Sequence, residues 1–338
     1  MICYWPERKH LSACRLRDCV RGSFPKHDGV NWWKLILYFV GAGLAGCGSP
    51  STEPSPAYPA DDRGRIPELE EPPRRIVVLS PSLTEILFAL NAEDRIIAVS
   101  RYCRWPDAAR ELPSVGGGMD PSTEKLLSLR PDLVLSSGSR IPGPLARVES
   151  AGVPVALLNH STLDDVYRDI RTLGSWIAEE TRAQTLIANL RAGEKAIREK
   201  TARRNGPRPG VVVLYDSRDL QSAGANTFTS DLVRIAGGTN LPDATGAPWP
   251  ILNPESLLRW NPEVIFFSFN GGESPGTIET NLRTFSADPR WENLRAVQNE
   301  RLYPIPDSLL SIPGPRSIEA ARLLQRYLTP ETDSEFDS

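Results

Sequence analysis

Histidine is almost absent from this chain. Only three occur in 338 residues, and two of them, His10 and His27, precede an apolar segment that reads as a leader. A bare Zn²⁺ or Mn²⁺ site ordinarily draws on several His or Cys ligands, which the one remaining imidazole, His160, cannot supply. A Ser–His–Asp triad would also have to use His160. Its setting, "NHSTLDD", reads instead as a loop histidine beside a Ser161/Thr162 helix cap. No GxxxxGK[ST] phosphate loop is present. No catalytic residue, metal site or resident cofactor is therefore expected. Basic charge is not in excess either. The net charge is −3, and from Cys47 onward 32 Lys and Arg face 39 Asp and Glu, which argues against a nucleic-acid partner. Long hydrophobic runs are missing too. The apolar stretch "LILYFVGAGLAG" has 12 residues, short of the about 20 needed to span a bilayer.

That short stretch has another use. Lys34 precedes it, small residues close it and Cys47 follows, the pattern of a secretory signal over 1–46. "LAGC" at 44–47 resembles the bacterial lipobox, in which the cysteine is lipidated and becomes the new N-terminus. Residues 1–29, with Cys3, Cys14 and Cys19, are long for such a signal; a start near Val30 and a genuine extended leader both fit. With Cys47 lipidated, Cys103 is the only thiol left in the mature chain, which excludes an internal disulfide. The next stretch, "GSPSTEPSPAYPADDRGRIPELEEPP", holds seven prolines and few apolar residues. Such a composition predicts an extended tether over 47–73. Lipid, tether and body together describe an extracytoplasmic lipoprotein moored at a membrane, in the periplasm or on the outer cell surface.

The body repeats itself. "STEKLLSLRPDLVL" at 122–135 and "NPESLLRWNPEVIF" at 253–266 match at an offset of 131 residues. Each opens on an N-cap, Ser122 or Asn253. Each carries a glutamate in the first turn, Glu124 or Glu255, where it complements the helix dipole. Pro131 or Pro262 then ends the helix, and an apolar strand begins. "RIVVLS", "RIIAVS", "DLVLSS" and "PVALL" read as short buried strands alternating with helices, as do "GVVVLY", "EVIFFSF" and "RLYPI" later in the chain. That alternation predicts α/β architecture with parallel sheets, in two Rossmann-like lobes over 74–178 and 205–330. Between them, 179–204 lacks proline and places Leu186, Ile187, Leu190 and Ile197 on one face. It predicts a single long bridging helix of roughly 37 Å. Residues 331–338 read as a disordered tail.

In "APWPILNPESLL", Trp249 stands between two prolines ahead of a helix start. The prolines fix their own φ and push the residues before them out of the α region. Such a loop suits an aromatic anchor presented outward; an indole folded back on its own domain is the other reading.

These features resemble the helical-backbone (class III) substrate-binding proteins of ABC importers, the metal-chelate receptor family. "RRIVVLSPSLTEILFAL", "AVSRYCRWPDAARELPSVGG" and "PSTEKLLSLRPDLVL" carry the likeness, and "APWPILNPESLL" with "IPGPRSIEAARLL" resembles the cobalamin-binding members. The likeness covers about 74–330. It implies a receptor that binds cobalamin or a related corrinoid between its lobes and delivers it to an ABC permease dimer with its ATPase subunits. An iron–siderophore or haem receptor of the same class is the alternative, and a metal-dependent enzyme such as a chelatase a more distant one. The resemblance places Trp249, Tyr102, Trp105, Ser82 and Gly116 at the ligand cleft, and gives Glu124 and Glu255 the role of docking to the permease. Two departures stand out. Gly116 occupies a position where cobalamin-binding members can carry another aromatic, and "SLLSIP" at 308–313 lacks the charged groups some of them use. Cys103 reads either as a small buried residue or as a soft ligand to cobalt.

Overall fold

Strands apolar at every position must be covered on both faces, and the structure, a computed structural model describing residues 58–269 and 274–329, covers them. Strands β1 (Ile76–Val78), β2 (Ile96–Val99), β3 (Leu133–Ser137) and β4 (Val155–Leu158) form a parallel sheet in the order β2-β1-β3-β4. Val77, Val134 and Leu157 point into one apolar cluster, while Ile76, Val78, Leu133 and Leu135 point into another. The second lobe repeats this with β5 (Gly210–Asp216), β6 (Gln221–Ser222), β7 (Thr239–Asn240), β8 (Val264–Phe269) and β9 (Leu302–Pro306). Its order is β6-β5-β8-β9, with β7 also on β5 and only β6 antiparallel.

The repeat seen in the sequence is a repeat of structure. Val77 pairs with Val134 as Val212 pairs with Ile265. Helices α1 (Pro81–Ala89), α2 (Thr123–Ser128), α3 (Gly143–Ser150) and α4 (Leu163–Trp176) belong to the first lobe. In α2 the Ser122 hydroxyl accepts from the Lys125 N–H at 3.3 Å, and Asn253 caps its counterpart by accepting from Ser256 N–H at 2.7 Å. Both helices end on a left-handed residue, Arg130 (φ 47°) or Asn261 (φ 45°), directly before the proline that forbids another turn.

The bridging helix α5 spans Glu180–Ala202, 23 residues, or about 35 Å. It buries Ala183, Ile187, Leu190, Gly193 and Ile197, and Leu186 is half-buried beside them. After it come α6 (Phe228–Ile235), α7 (Pro254–Trp260), α8 (Pro275–Ser286), α9 (Arg295–Gln298), α10 (Asp307–Leu310) and α11 (Ser317–Leu328). Two glycine contacts hold α5 close to both lobes. A Cβ on Gly174 would sit 2.4 Å from the Ala183 Cβ, and one on Gly193 would sit 2.6 Å from Ile318 Cγ2. The Gln325 amide of α11 also donates to Ile197 O and Thr201 Oγ1, each at 2.8 Å.

The tether expected over 47–73 gives way to structure by Tyr58. The Asp61 carboxylate is buried and accepts from the N–H groups of Arg63 (2.9 Å), Arg65 (3.0 Å) and Leu157 (3.1 Å). Burial alone would raise the Asp61 carboxyl, but Arg63 and these backbone donors outweigh it and hold it below its ordinary value. Asp62 N–H donates to Leu157 O at 2.9 Å, and Trp176 Nε1 donates to Pro59 O at 2.9 Å. The segment thus covers the free edge of β4. Its composition reads as spacer because the partners that bury it lie about a hundred residues away. The leader 1–46, Cys47 and the tail 331–338 lie outside the described residues. Among the described residues no helix is long and apolar enough to cross a membrane.

Candidate functional site

Parallel strands and the helices that follow them leave a crevice at their carboxyl ends. Here a cavity of about 510 Å³ opens there, between the lobes, within the size range of small-molecule sites. The first lobe contributes Ser80 and Ser82 at the start of α1, Gly138 after β3 and His160 after β4. The second contributes the start of α6, the loop carrying Trp249 and the turn around Ile312.

Trp249 is 50 % exposed and lines this cavity. Its loop is clamped on either side of the indole. Pro248 O accepts from Gly224 N–H at 2.8 Å, and Pro250 O accepts from Ser222 N–H at 2.9 Å. The clamp requires a glycine, since a Cβ on Gly224 would lie 2.2 Å from Ala247 O. The indole meets Tyr215 edge to face, with centroids 5.5 Å apart. Burial pushes the Tyr215 phenol up to about 12, and its hydroxyl is held by Ser311 and Thr229. Tyr215 is thus a neutral backstop that the sequence did not single out.

The residues expected at the cleft divide into two groups. Ser82 and Trp249 face one cavity from opposite lobes. Tyr102 and Trp105, 56 % and 46 % exposed, stand on a loop outside its lining. Gly116 also lies outside it, at φ +111°, where its carbonyl accepts from Arg101 N–H at 2.8 Å. The Cys103 thiol is buried within the first lobe, where it accepts from Thr84 Oγ1 at 3.1 Å and shares a hydrogen bond with Ser100 Oγ at 3.2 Å. Of its two readings, the small buried residue holds.

Trp105 leads to a contact between the lobes. The Arg316 guanidinium sits 4.8 Å from its ring centroid and reaches across to Glu85 on α1. Nη2 meets Oε1 at 2.5 Å, and Nε meets Oε2 at 3.1 Å. Glu85 is almost fully buried. Burial, only partly offset by Arg316, pushes its carboxyl above the ordinary carboxylate value.

His160 lies on the loop between β4 and α4, as its sequence setting suggests, but its side chain is not an idle one. Thr162 alone caps α4, forming a capping box with Asp165. The His160 imidazole is only 7 % exposed, lines the cavity, and places Nδ1 2.9 Å from Asp169 Oδ2. One signal for this was present in the sequence: an aspartate on the otherwise apolar face formed by Val166, Ile170 and Leu173.

A family model described as periplasmic binding protein matches residues 76–309. The chain belongs to that family. An ABC transporter substrate-binding lipoprotein of Bacillus subtilis is 28 % identical to this binding protein over 92 % of its chain and 99 % of the relative. Among solved structures, the vitamin B12-binding protein BtuF of Vibrio cholerae is 26 % identical, with a TM-score of 0.65 over 76 % of this chain and 97 % of that one. The apo haem-binding protein RhuT of Roseiflexus is 28 % identical, with a TM-score of 0.66 over 75 % and 97 %. This chain is therefore the substrate-binding component of an ABC transporter, of the metal-chelate type, and works by capture, not by catalysis. The chelatase alternative falls away with that result.

Proposed function

We propose that the protein binds cobalamin or a related corrinoid in the interlobe cavity and hands it to an ABC permease at the membrane that its Cys47 lipid anchors it to. The observation that carries this reading is Trp249: a large planar side chain, half-exposed, on a loop clamped from both sides at the mouth of the cavity. A rigid indole loses little rotamer freedom against a broad macrocycle and can bury about 150–250 Å² on it. Tyr102 and Trp105 are exposed outside the cavity's lining, and would contact only a ligand that extends beyond it. Haem is the second reading, favoured by the likeness to a haem-binding structure. Titrating the mature chain, kept in solution by Cys47→Ser, with cyanocobalamin, haemin and a ferric siderophore separates these readings. Saturable tight binding of cyanocobalamin alone is the expected result; tight binding of haemin alone would transfer the assignment to haem.

Docking rests on Glu124 and Glu255. Both are exposed at equivalent helix starts of the two lobes, and neither has an ion-pair partner among the described residues. A permease dimer would meet one acidic point per lobe. Changing both to alanine should reduce uptake into cells while corrinoid affinity in solution stays within about twofold, because rim charges act chiefly on encounter. Lost affinity with uptake intact would place these residues on the wrong surface.

A further inference from the structure

We infer that Asp62 is a positioning residue of the ligand cavity, so that attachment of the N-terminal segment to β4 and occupancy of the cleft are coupled. The inference rests on the interlobe cavity being the ligand site, as proposed above. β4 ends its sheet, and the backbone groups along its outer side face no neighbouring strand. Residues 61–63 take these groups one after another. The Arg63 guanidinium donates to Val155 O, the Asp62 N–H donates to Leu157 O at 2.9 Å, and the Asp61 carboxylate accepts from Leu157 N–H at 3.1 Å. Last in the row is the Asn159 N–H, one residue past the strand, and its acceptor is the Asp62 carboxylate.

At Asn159 the sheet edge becomes cavity wall. Asn159, His160 and Ser161 line the cavity and lie outside any strand or helix. Side chains hold both backbone groups of Asn159: Asp62 takes the N–H, and Arg168 Nη2 donates to the carbonyl at 2.6 Å. These two holders are themselves paired at 3.2 Å. Arg168 also meets Asp165 at 2.8 Å and Asp169 at 3.1 Å, and the other Asp169 oxygen lies 2.9 Å from His160 Nδ1. Arg168, Asp165 and Asp169 all belong to α4, so Asp62 alone ties this network to the segment before β1. Only residues 48–57 separate that segment from Cys47. Without the Asp62 carboxylate, Asn159 N–H loses its fixed acceptor and Arg168 answers to Asp165 and Asp169 alone. Part of the ligand's binding free energy then goes into ordering the wall. Linkage makes the effect reciprocal: a ligand that prefers the ordered wall tightens the segment on β4.

The test uses the untagged mature Cys47→Ser chain. His160 is its only histidine, so the imidazole NMR signals report the cavity wall with no ligand added. Asp62→Ala should move those signals. It should also weaken binding of whichever probe the wild type takes, cyanocobalamin or haemin, by about fivefold or more. Asp62→Asn removes the charge but keeps an acceptor for the Asn159 N–H, and should recover most of both. Arg65→Ala removes a surface pair with Glu149 from the same segment and should leave affinity within about twofold. In the reciprocal direction, a saturating probe should slow tryptic cleavage after Arg63 or Arg65 by a factor similar to the Asp62→Ala affinity loss. That protection is read on the wild type, so the coupling is decided even if Asp62→Ala does not fold. Unmoved His160 signals in Asp62→Ala, or unchanged affinity in that variant, or no protection by a bound probe, overturns the inference while the cavity reading stands. Failure of the wild type to bind either probe overturns the cavity reading and the coupling with it.

Discussion

Replacing Trp249 with alanine should weaken binding of the cleft ligand by about 2–4 kcal/mol, the scale of an aromatic hot spot, on the order of 30- to 1000-fold in Kd. Stability should change much less. The indole is half-exposed, and its one ring contact among the described residues is the edge-to-face pair with Tyr215, a type worth about 0.5–1.5 kcal/mol. The loop keeps its shape because Pro248 and Pro250, not the indole, carry its backbone hydrogen bonds. Trp176 supplies the contrast: it is fully buried, and Trp176→Ala should cost about 3–5 kcal/mol of stability. Thermal unfolding and titration of both variants check the pair of expectations. A large fall in Tm for Trp249→Ala with unchanged affinity would assign that indole to the core.

The second large effect concerns the pair between the lobes. Glu85→Ala strands the Arg316 guanidinium, whose side chain is 17 % exposed, and breaking a buried pair from one side costs about 3–5 kcal/mol. The carboxyl also gives stability a pH dependence of definite sign. Burial holds the Glu85 proton to higher pH in the folded protein than in the unfolded chain. As pH rises from the ordinary carboxylate value through the raised one, the unfolded chain releases this proton first. The Glu85 contribution is therefore fully present below that window and is lost across it. Asp61 and Asp165, held below their ordinary values, slope the other way at lower pH. The stability difference between wild type and Glu85→Gln, followed by denaturant unfolding from acid to neutral pH, isolates the contribution of Glu85. A difference that stays constant across pH would show that the carboxyl does not titrate in that window.

The parts of this molecule legible in the sequence are those fixed by neighbours a few residues away. Ser122 and Asn253 cap because their side chains reach an N–H three residues on, and Pro131 and Pro262 stop helices by their own geometry. A spacing of 131 residues relates the two sets. The strands were readable because Val77 and its neighbours are apolar on both faces. Trp249 was readable because its two prolines shape the loop locally. The illegible parts depend on distant partners. Glu85 meets Arg316 across 231 residues, and Asp61 meets Leu157 across 96. His160 lies between these cases: Asp169 is only nine residues away, but nothing local shows that the ring between them faces a cavity. Tyr102 and Trp105 were assigned to the cleft by likeness alone, and the fold leaves them outside the cavity's lining.

The two glycine contacts along α5 have a consequence for traffic at the membrane. With Gly174 against Ala183 and Gly193 against Ile318, the lobes should have little room to swing, and vacant and occupied receptors should then differ little in outline. In an importer of the kind proposed above, both would offer the permease the same two acidic points. A vacant receptor is then a competitor for the same berth. Import should rise and then fall as receptor outnumbers cargo, and discrimination between the two must come from the cargo's own exposed face.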